Sequence, residues 1–164
     1  MMRFSAPWST FLKVVSAGIT VLLLGAFWFA GPLSTLEESQ AFQIFLIAFP
    51  FLLLGSSAAF IIRGYEISDE GVEIIRVIGR VSYPIDNIER AEHDPEAMSF
   101  AMRMMANGGM YSYSGFFRNQ KLGSFRAYVS NKENAVVLHR KKGSPIVISP
   151  GEPEEFVKQL NRLV

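Results

Sequence analysis

Two long apolar runs open the chain, and a shorter alternation of apolar and polar residues follows them. Residues 14–36 and 39–62 contain no charged side chain. A helix needs about 20 mostly apolar residues to cross a hydrocarbon layer of about 30 Å. The pattern therefore predicts two transmembrane helices, at about 14–33 and 41–62. A cleaved signal peptide, the alternative for the first run, is disfavoured because the run is longer than such a segment.

The charged residues that flank the two runs predict an orientation. Arg3 and Lys13 precede the first run, Glu37 and Glu38 lie between the runs, and Arg63 follows the second. Basic flanks stay on the cytoplasmic side of a membrane. We therefore expect a multi-pass protein of the inner membrane, with both termini and the rest of the chain in the cytoplasm.

From residue 64 onward, apolar and polar residues alternate in short segments that polar turns separate. The segments YEIS, VEIIRV, GRVSYP and IERAEH come first, and SFRAYVS, AVVLHR and PIVIS come later. Alternation with a period of two is typical of strands, and the turns at 69–71, 131–134 and 141–144 are of ordinary hairpin length. Residues 64–164 are thus predicted to form one domain of about seven strands.

The last segment changes to a helical period. After Pro153, apolar residues recur on one helical face, and Glu154 and Glu155 occupy the first turn, where the helix dipole favours anions. The apolar face consists of Phe156, Val157, Leu160, Leu163 and Val164. A helix of this kind must bury its stripe, and the open end of a bent sheet can receive it. The predicted fold class is membrane-anchored α+β, with a transmembrane hairpin followed by a seven-stranded β-barrel capped by a C-terminal helix.

Three stretches carry a family resemblance: YEISDEGVEI (65–74), YSGFFRNQKLGSFRAYVSNKENAVVLHR (113–140) and IVISPGEPEEFVKQL (146–160). With them, the chain resembles the bacterial pleckstrin-homology (PH) domain family in its membrane-attached form, two helices followed by one PH-like domain. The resemblance implies a PH-like barrel and no catalytic residues. The chain departs from the family pattern at Glu152, where an aspartate would be a better helix cap, so we expect a frayed first turn.

Charge is distributed unevenly along the predicted domain. Residues 64–96 carry three basic and nine acidic side chains, whereas residues 97–149 carry eight basic and one acidic. Either the two halves pair across strands, or the basic loops contact anionic lipid headgroups or a partner. The candidate contact residues are Arg118, Lys121, Arg140, Lys141 and Lys142. A phosphoinositide pocket is disfavoured because the first hairpin carries Asp69, Glu70 and Glu73.

Methionine and aromatic residues are concentrated between residues 98 and 117. Such side chains either fill an irregular core edge or form a mobile loop that adapts to a partner. In the second case the segment is a docking loop for a protein, a peptide or a second copy of the chain. Its residues are Met104, Met105, Met110, Tyr111, Tyr113, Phe116 and Phe117.

Catalytic chemistry has little support in the sequence. His93 and Asp94 are neighbours and His139 lies on a later strand, but adjacent residues of a strand point to opposite faces, and no motif places a third residue beside either ring. The chain has no cysteine. We expect no catalytic residue, cofactor, metal or nucleic acid. The alternative is a small membrane-bound enzyme of unknown reaction that uses His93, Asp94 or His139.

These observations predict a non-enzymatic, membrane-anchored binding or scaffold module. Its cytoplasmic barrel would be presented to a protein, a peptide or an anionic lipid surface. Strand addition at an open sheet edge beside the C-terminal helix is the expected mode.

Overall fold

The computed structural model describes the backbone of residues 1–33 and 40–164. It describes the side chains of all these residues except 26, 27, 29–33, 41, 43, 46 and 107–110. Two helices follow a short first strand: α1 spans Thr10–Leu33 and α2 spans Gln40–Ala59. Strands make up most of the remaining chain.

No helix in the described part of the chain is long and apolar enough to cross a bilayer. A crossing helix must keep its polar groups out of about 30 Å of hydrocarbon over about 20 successive residues. The predicted transmembrane hairpin is therefore wrong. The integral membrane attachment and the inner-membrane location with cytoplasmic termini were derived from it and are wrong as well. Glu37 and Glu38, used for the predicted orientation, lie outside the described residues.

The first sheet contains four antiparallel strands in sequence order. They are β1 Met2–Ser5, β2 Ile62–Ser68, β3 Gly71–Arg76 and β4 Arg80–Pro84. Strand β1 precedes both helices, yet it pairs with β2, placing Arg3 opposite Glu66. The predicted division of the chain into 1–63 and 64–164 stays a prediction, and β1 belongs to the same sheet as the later strands.

The second sheet has six strands in the order β5-β9-β10-β8-β7-β6. Strands β8 and β10 are parallel, and the other neighbours are antiparallel. The strands are β5 Ile88–His93, β6 Met102–Met110, β7 Ser112–Asn119, β8 Gly123–Val129, β9 Val136–Arg140 and β10 Ile146–Ile148.

The predicted seven-stranded barrel is thus wrong, because the described residues form ten strands in two sheets, as in a β-sandwich. The three unpredicted strands have a common physical explanation. Strand β1 lies before the apolar runs, and β6 and β7 occupy the segment rich in methionine and aromatic residues. In none of the three does a period of two extend beyond four residues, because β1 is only four residues long and Met104-Met105 and Phe116-Phe117 interrupt the alternation in β6 and β7.

The middle strands of the second sheet are buried on both faces. On β9, Val136 and Leu138 pack towards the first sheet, and Val137 packs on the opposite side. The inner core, between the two sheets, contains Phe4, Ile62, Tyr65, Ile67, Val72, Ile74, Ile88, Ala91, Tyr128, Val136, Leu138, Ile146, Ile148, Phe156 and Leu160. The outer core, on the other face, contains Leu12, Ala97, Met98, Tyr113, Phe117, Phe125, Ala127, Val129, Ala135, Val137 and Val147.

The C-terminal helix α3, Pro153–Leu160, closes the inner core. Phe156 and Leu160 are fully buried, and the Phe156 ring meets Phe4 edge-on with the centroids 5.0 Å apart. Pro153 stands in the first turn, and the Glu152 side chain makes no capping hydrogen bond. The helix is therefore held mainly by its apolar stripe.

The start of α1 is docked onto the outer core. Ser9 caps the helix, since its Oγ accepts a hydrogen bond from the Leu12 N–H at 3.2 Å. Leu12 is completely buried in the outer core. Two helical turns after Ser9, the Ser16 Oγ accepts a hydrogen bond from the Tyr111 N–H at 3.0 Å. One turn further, Thr20 Oγ1 lies 2.8 Å from the Tyr111 hydroxyl oxygen. Polar contacts thus fix this half of the helix to the sheet.

A buried hydrogen-bond network at the end of β10 joins both sheets. Ser149 Oγ accepts from the backbone N–H groups of Ser130 and Asn131, at 2.8 and 3.2 Å. The Tyr65 hydroxyl donates to the Tyr128 carbonyl at 2.8 Å and accepts from the Ser149 N–H at 3.1 Å. We call these residues the Ser149 network. It satisfies polar groups that would otherwise be buried without partners.

Replacing Ser149 should destabilise the domain. Ser149→Ala leaves two backbone N–H groups without their acceptor, so we expect the free energy of unfolding to fall by about 2 kcal/mol. Urea unfolding measures this, with the exposed Ser144→Ala as the control. Equal midpoints for the two variants would show that the network contributes little to stability.

Tyr65 should make the stability of the protein depend on alkaline pH. Burial raises its pKa from 10.0 to about 12, because the phenolate form is poorly solvated there. The folded state therefore keeps the proton longer than the unfolded state, and stability that is present below pH 10 is lost as pH rises towards 12. The expected loss is on the order of 2–3 kcal/mol. Tyr65→Phe should unfold with a flatter dependence between pH 10 and 12, and parallel pH profiles would contradict this assignment.

Candidate functional site

The β6–β7 hairpin extends beyond the first sheet. Strands β5, β8, β9 and β10 all supply residues to the inner core, but none of the described side chains of β6 and β7 belongs to it. Tyr113 and Phe117 of β7 pack on the opposite side, in the outer core. The hairpin is therefore anchored on one face, and part of its other face is left uncovered.

The uncovered face carries large apolar side chains. Register places Met102 opposite Arg118 and Met105 opposite Phe116, and opposed residues of a sheet share a face. The side chains of Met102, Met105 and Phe116 are 71%, 79% and 48% exposed. We call Met102, Met105, Phe116 and Arg118 the overhanging face.

A glycine allows β6 to lie close to β7. Gly115 has φ +133°, and a Cβ built on it would lie 2.5 Å from the Met105 carbonyl oxygen. Any other residue would clash with the β6 backbone there and would be strained in this conformation. The close approach coincides with a register shift between Arg103 and Met105, which places Met104 in a bulge.

An open cavity of about 1020 Å³ lies at the Met102 end of the hairpin. Phe100, which is 99% exposed, Met102 and Met104 provide its apolar lining, while Arg118 and Lys121 provide positive charge. The full lining is Glu96, Ser99, Phe100, Met102, Met104, Arg118, Asn119, Gln120, Lys121 and Gly123. Of the predicted site residues, the cavity therefore brings together Arg118 and Lys121 from the basic set and Met104 from the docking loop.

The predicted basic residues lie in two turns at the same end of the second sheet. Register from Arg140 through β10 and β8 to Arg118 places both turns at that end. Arg140 is engaged locally, because its Nη2 donates to the Lys142 carbonyl at 2.7 Å and its guanidinium lies over the Tyr83 ring. Lys141 and Lys142 are exposed and do not line the cavity.

Lys121 is already paired. Its Nζ lies 2.6 Å from Oδ2 of Asp94, a residue that is almost completely buried. The hydrogen bond with Asp94 raises the pKa of Lys121 above its ordinary value. This contact joins the acidic and basic halves of the domain, but it lies between a turn and the residue after β5, and not across neighbouring strands. Arg118 is the basic residue of the cavity that has no carboxylate partner among the described residues.

The predicted docking loop is part of two strands. Met104 and Met105 lie on β6, and Phe116 lies on β7, all with exposed side chains. Tyr113 and Phe117 are buried in the outer core, and Tyr111 joins the two strands with φ 65° and contacts α1. The Met110 side chain lies outside the described residues. The role of these residues as a docking surface stays a prediction.

The sheet edge beside the C-terminal helix is closed. Strand β5 is that edge, and the Asn161 side chain pairs with its backbone like a short strand. Asn161 Oδ1 accepts from the Ala91 N–H at 2.8 Å, and Nδ2 donates to the Ala91 carbonyl at 2.9 Å. The predicted site of strand addition is thus occupied at its centre. The opposite edge, β6, has no such lock among the described residues of its Met102 end.

The residues of the enzyme alternative have separate partners. Asp94 is paired with Lys121, His93 Nε2 lies 3.3 Å from the Glu133 carbonyl oxygen, and His139 Nε2 lies 3.4 Å from Glu92 Oε1. None of these three residues lines the cavity. The geometry assembles no nucleophile, base and orienting group from them.

Sequence reasoning missed Phe100 and Met102. Both are apolar residues next to the predicted docking loop, and their exposure follows from the position of β6 at the sheet edge, which the sequence does not reveal. The available signal was the segment from Met98 to Met105, in which only Ser99 and Arg103 are polar.

Comparison with known proteins agrees with the resemblance in the sequence. The family model described as "Bacterial PH domain" matches residues 63–164. Neither the curated proteins nor the solved structures gave a match. Because the family model covers more than half of the chain, the chain belongs to the bacterial PH domain family.

Proposed function

We propose that this chain is a non-enzymatic binding module that takes an extended segment of a protein partner at the Met102 end of β6. The observation that carries the proposal is the contrast between the two edges of the second sheet. One edge is closed by Asn161, whereas the other is bordered by exposed apolar side chains and an open cavity.

The edge offers backbone hydrogen bonds. Strand β6 pairs with β7 on one side only, so its outward N–H and C=O groups can pair with an added strand. Helix α1 hydrogen-bonds to Tyr111, at the other end of β6, and its Phe11 lines a small pocket with Arg103 on the outer-core side. Met102, Met104 and Met105 nevertheless remain exposed. Main-chain bonds of this kind give affinity, and pockets for alternate side chains give specificity.

The apolar surface supports the same function. Exposed methionines are adaptable and pack against varied partners. Natural edge strands are usually protected by charge, proline or a covering element, whereas the Met102 end of β6 has three exposed methionines, Met102, Met104 and Met105, beside the single charge of Arg103. An apolar edge is tolerated where a partner covers it.

Other predicted partners have weaker support. An anionic lipid surface would use the basic turns, where Lys121 is paired with Asp94 and Arg140 with its own turn, while Lys141 and Lys142 are exposed. A non-enzymatic function is supported by the separate partners of His93, Asp94 and His139. A protein segment is therefore the partner that the surface fits best.

A random linear peptide display library, selected on the full-length chain, tests the proposal. Selected peptides should perturb the amide resonances of residues 102–105. Met102→Ser with Met104→Ser should weaken their binding at least tenfold, because a tenfold change is about 1.4 kcal/mol and each methionine contributes about 1.5–3 kcal/mol when fully covered. The control pair, Val77→Ser with Ile78→Ser, removes exposed apolar side chains from the β3–β4 turn and should leave binding unchanged.

N-methylated versions of the selected peptides test whether binding depends on backbone hydrogen bonds to β6. N-methylation of alternate residues removes the peptide donors that strand addition requires, and binding should then be lost. Peptides that bind as tightly after N-methylation, or that perturb only residues far from β6, would contradict the proposal.

A further inference from the structure

We infer that the segment bound at β6 is acidic, with carboxylates held by Arg103 on one face of the added strand and by Arg118 on the other. This inference rests on the function proposed above and specifies the chemistry of its partner.

The two arginines lie on opposite faces of the same part of the hairpin. Arg103 is on β6 itself and is paired with Phe117, a residue of the outer core. Arg118 is on β7, opposite Met102, and belongs to the overhanging face. A strand added beside residues 102–104 would therefore meet positive charge on both of its faces.

Neither arginine has a carboxylate partner among the described residues, whereas some other cations of the domain do. Arg80 is paired with Glu66 and Glu73, and Lys121 is paired with Asp94. The charge of Arg103 and Arg118 is thus available to a partner. Guanidinium groups form strong hydrogen bonds with carboxylates, often two at a time.

Distances across a sheet fit this arrangement. Neighbouring strands are about 4.8 Å apart, so an added strand lies one spacing from Arg103 and about 10 Å from the β7 backbone at Arg118. Opposed charges on adjacent strands interact directly, and the longer gap is within the combined length of an arginine and a glutamate side chain. Arg126, on β8, is one spacing farther and is stacked on the rings of Phe116 and Tyr128, so it is not expected to reach the segment.

The same charges disfavour a second copy of the chain as the occupant. Symmetric pairing of two β6 strands would bring two copies of Arg103 and Arg118 to one interface. Like charges in such a position are repulsive. A segment with adjacent glutamates has the complementary charge.

Two matched synthetic peptides test the inference on the full-length chain. Both alternate valine and threonine, are acetylated and amidated to remove terminal charge, and differ only in a central Glu-Glu or Gln-Gln pair. We expect the Glu-Glu peptide to bind about tenfold tighter or more by fluorescence anisotropy, because hydrogen bonds between guanidinium groups and carboxylates are stronger than those to a neutral amide. The preference should shrink at high salt.

Charge-matched variants locate the effect. Arg103→Gln with Arg118→Gln should abolish the preference for Glu-Glu, whereas Lys141→Gln with Lys142→Gln loses the same charge elsewhere and should retain it. An unchanged amide spectrum outside β6 and β7 checks that each variant is folded. Loss of the preference in both variants would show a general charge effect and overturn the inference.

The outcomes separate the inference from the proposed function. If both peptides perturb β6 equally, strand addition stands and the acidic partner is wrong. If neither peptide perturbs β6, both ideas fail. If sedimentation shows a dimer that the Arg103→Gln and Arg118→Gln changes strengthen, the occupant is a second copy and the inference is overturned.

Discussion

Burial of both faces of β8, β9 and β10 is the constraint on which the rest of the structure depends. One face packs against the first sheet and α3, and the other packs against the start of α1 and the segment around Ala97 and Met98. Burial of this kind favours unbroken runs of β-branched and aliphatic residues, which AVVL and IVI provide. Because neither face is free, elements from distant parts of the chain must converge on these strands.

Residues from the chain's beginning are part of this convergence. Strand β1 adds an edge to the first sheet, Phe4 packs on Phe156, and Leu12 enters the outer core. The Ser149 network fixes the same region with directed bonds, since the Ser130 hydroxyl also donates to the Pro7 carbonyl at 3.0 Å. Apolar burial supplies the driving force, and the buried polar groups restrict which arrangement satisfies them.

The two edges of the second sheet show how the fold separates stability from binding. At β5, an amide side chain from the end of α3 takes the place of a further strand, which ties the helix to the sheet. At β6, the backbone edge borders exposed methionines and arginines without carboxylate partners among the described residues. The β6–β7 hairpin is anchored through one face only, by Tyr113 and Phe117 in the outer core. Its other face is therefore available for contact with another molecule.

The sequence by itself determined the family, the β-rich character of the later part of the chain and the position of the last helix. These features depend on local signals: the period of two, the turn residues and the apolar stripe after Pro153. It did not determine β1, β6 or β7, because β1 has only four residues and its partner β2 follows both helices, and adjacent methionines and phenylalanines interrupt the alternation in β6 and β7. Only the tertiary structure decided which edge is closed and that Arg118 shares a cavity with Met104 whereas Arg140 does not, because these facts depend on strand order. The apolar runs led to a wrong prediction of membrane spans for a related reason. Hydropathy counts apolar residues along the chain, but it does not show that Ser16 and Thr20, inside the first predicted span, hydrogen-bond to Tyr111 beside the second sheet.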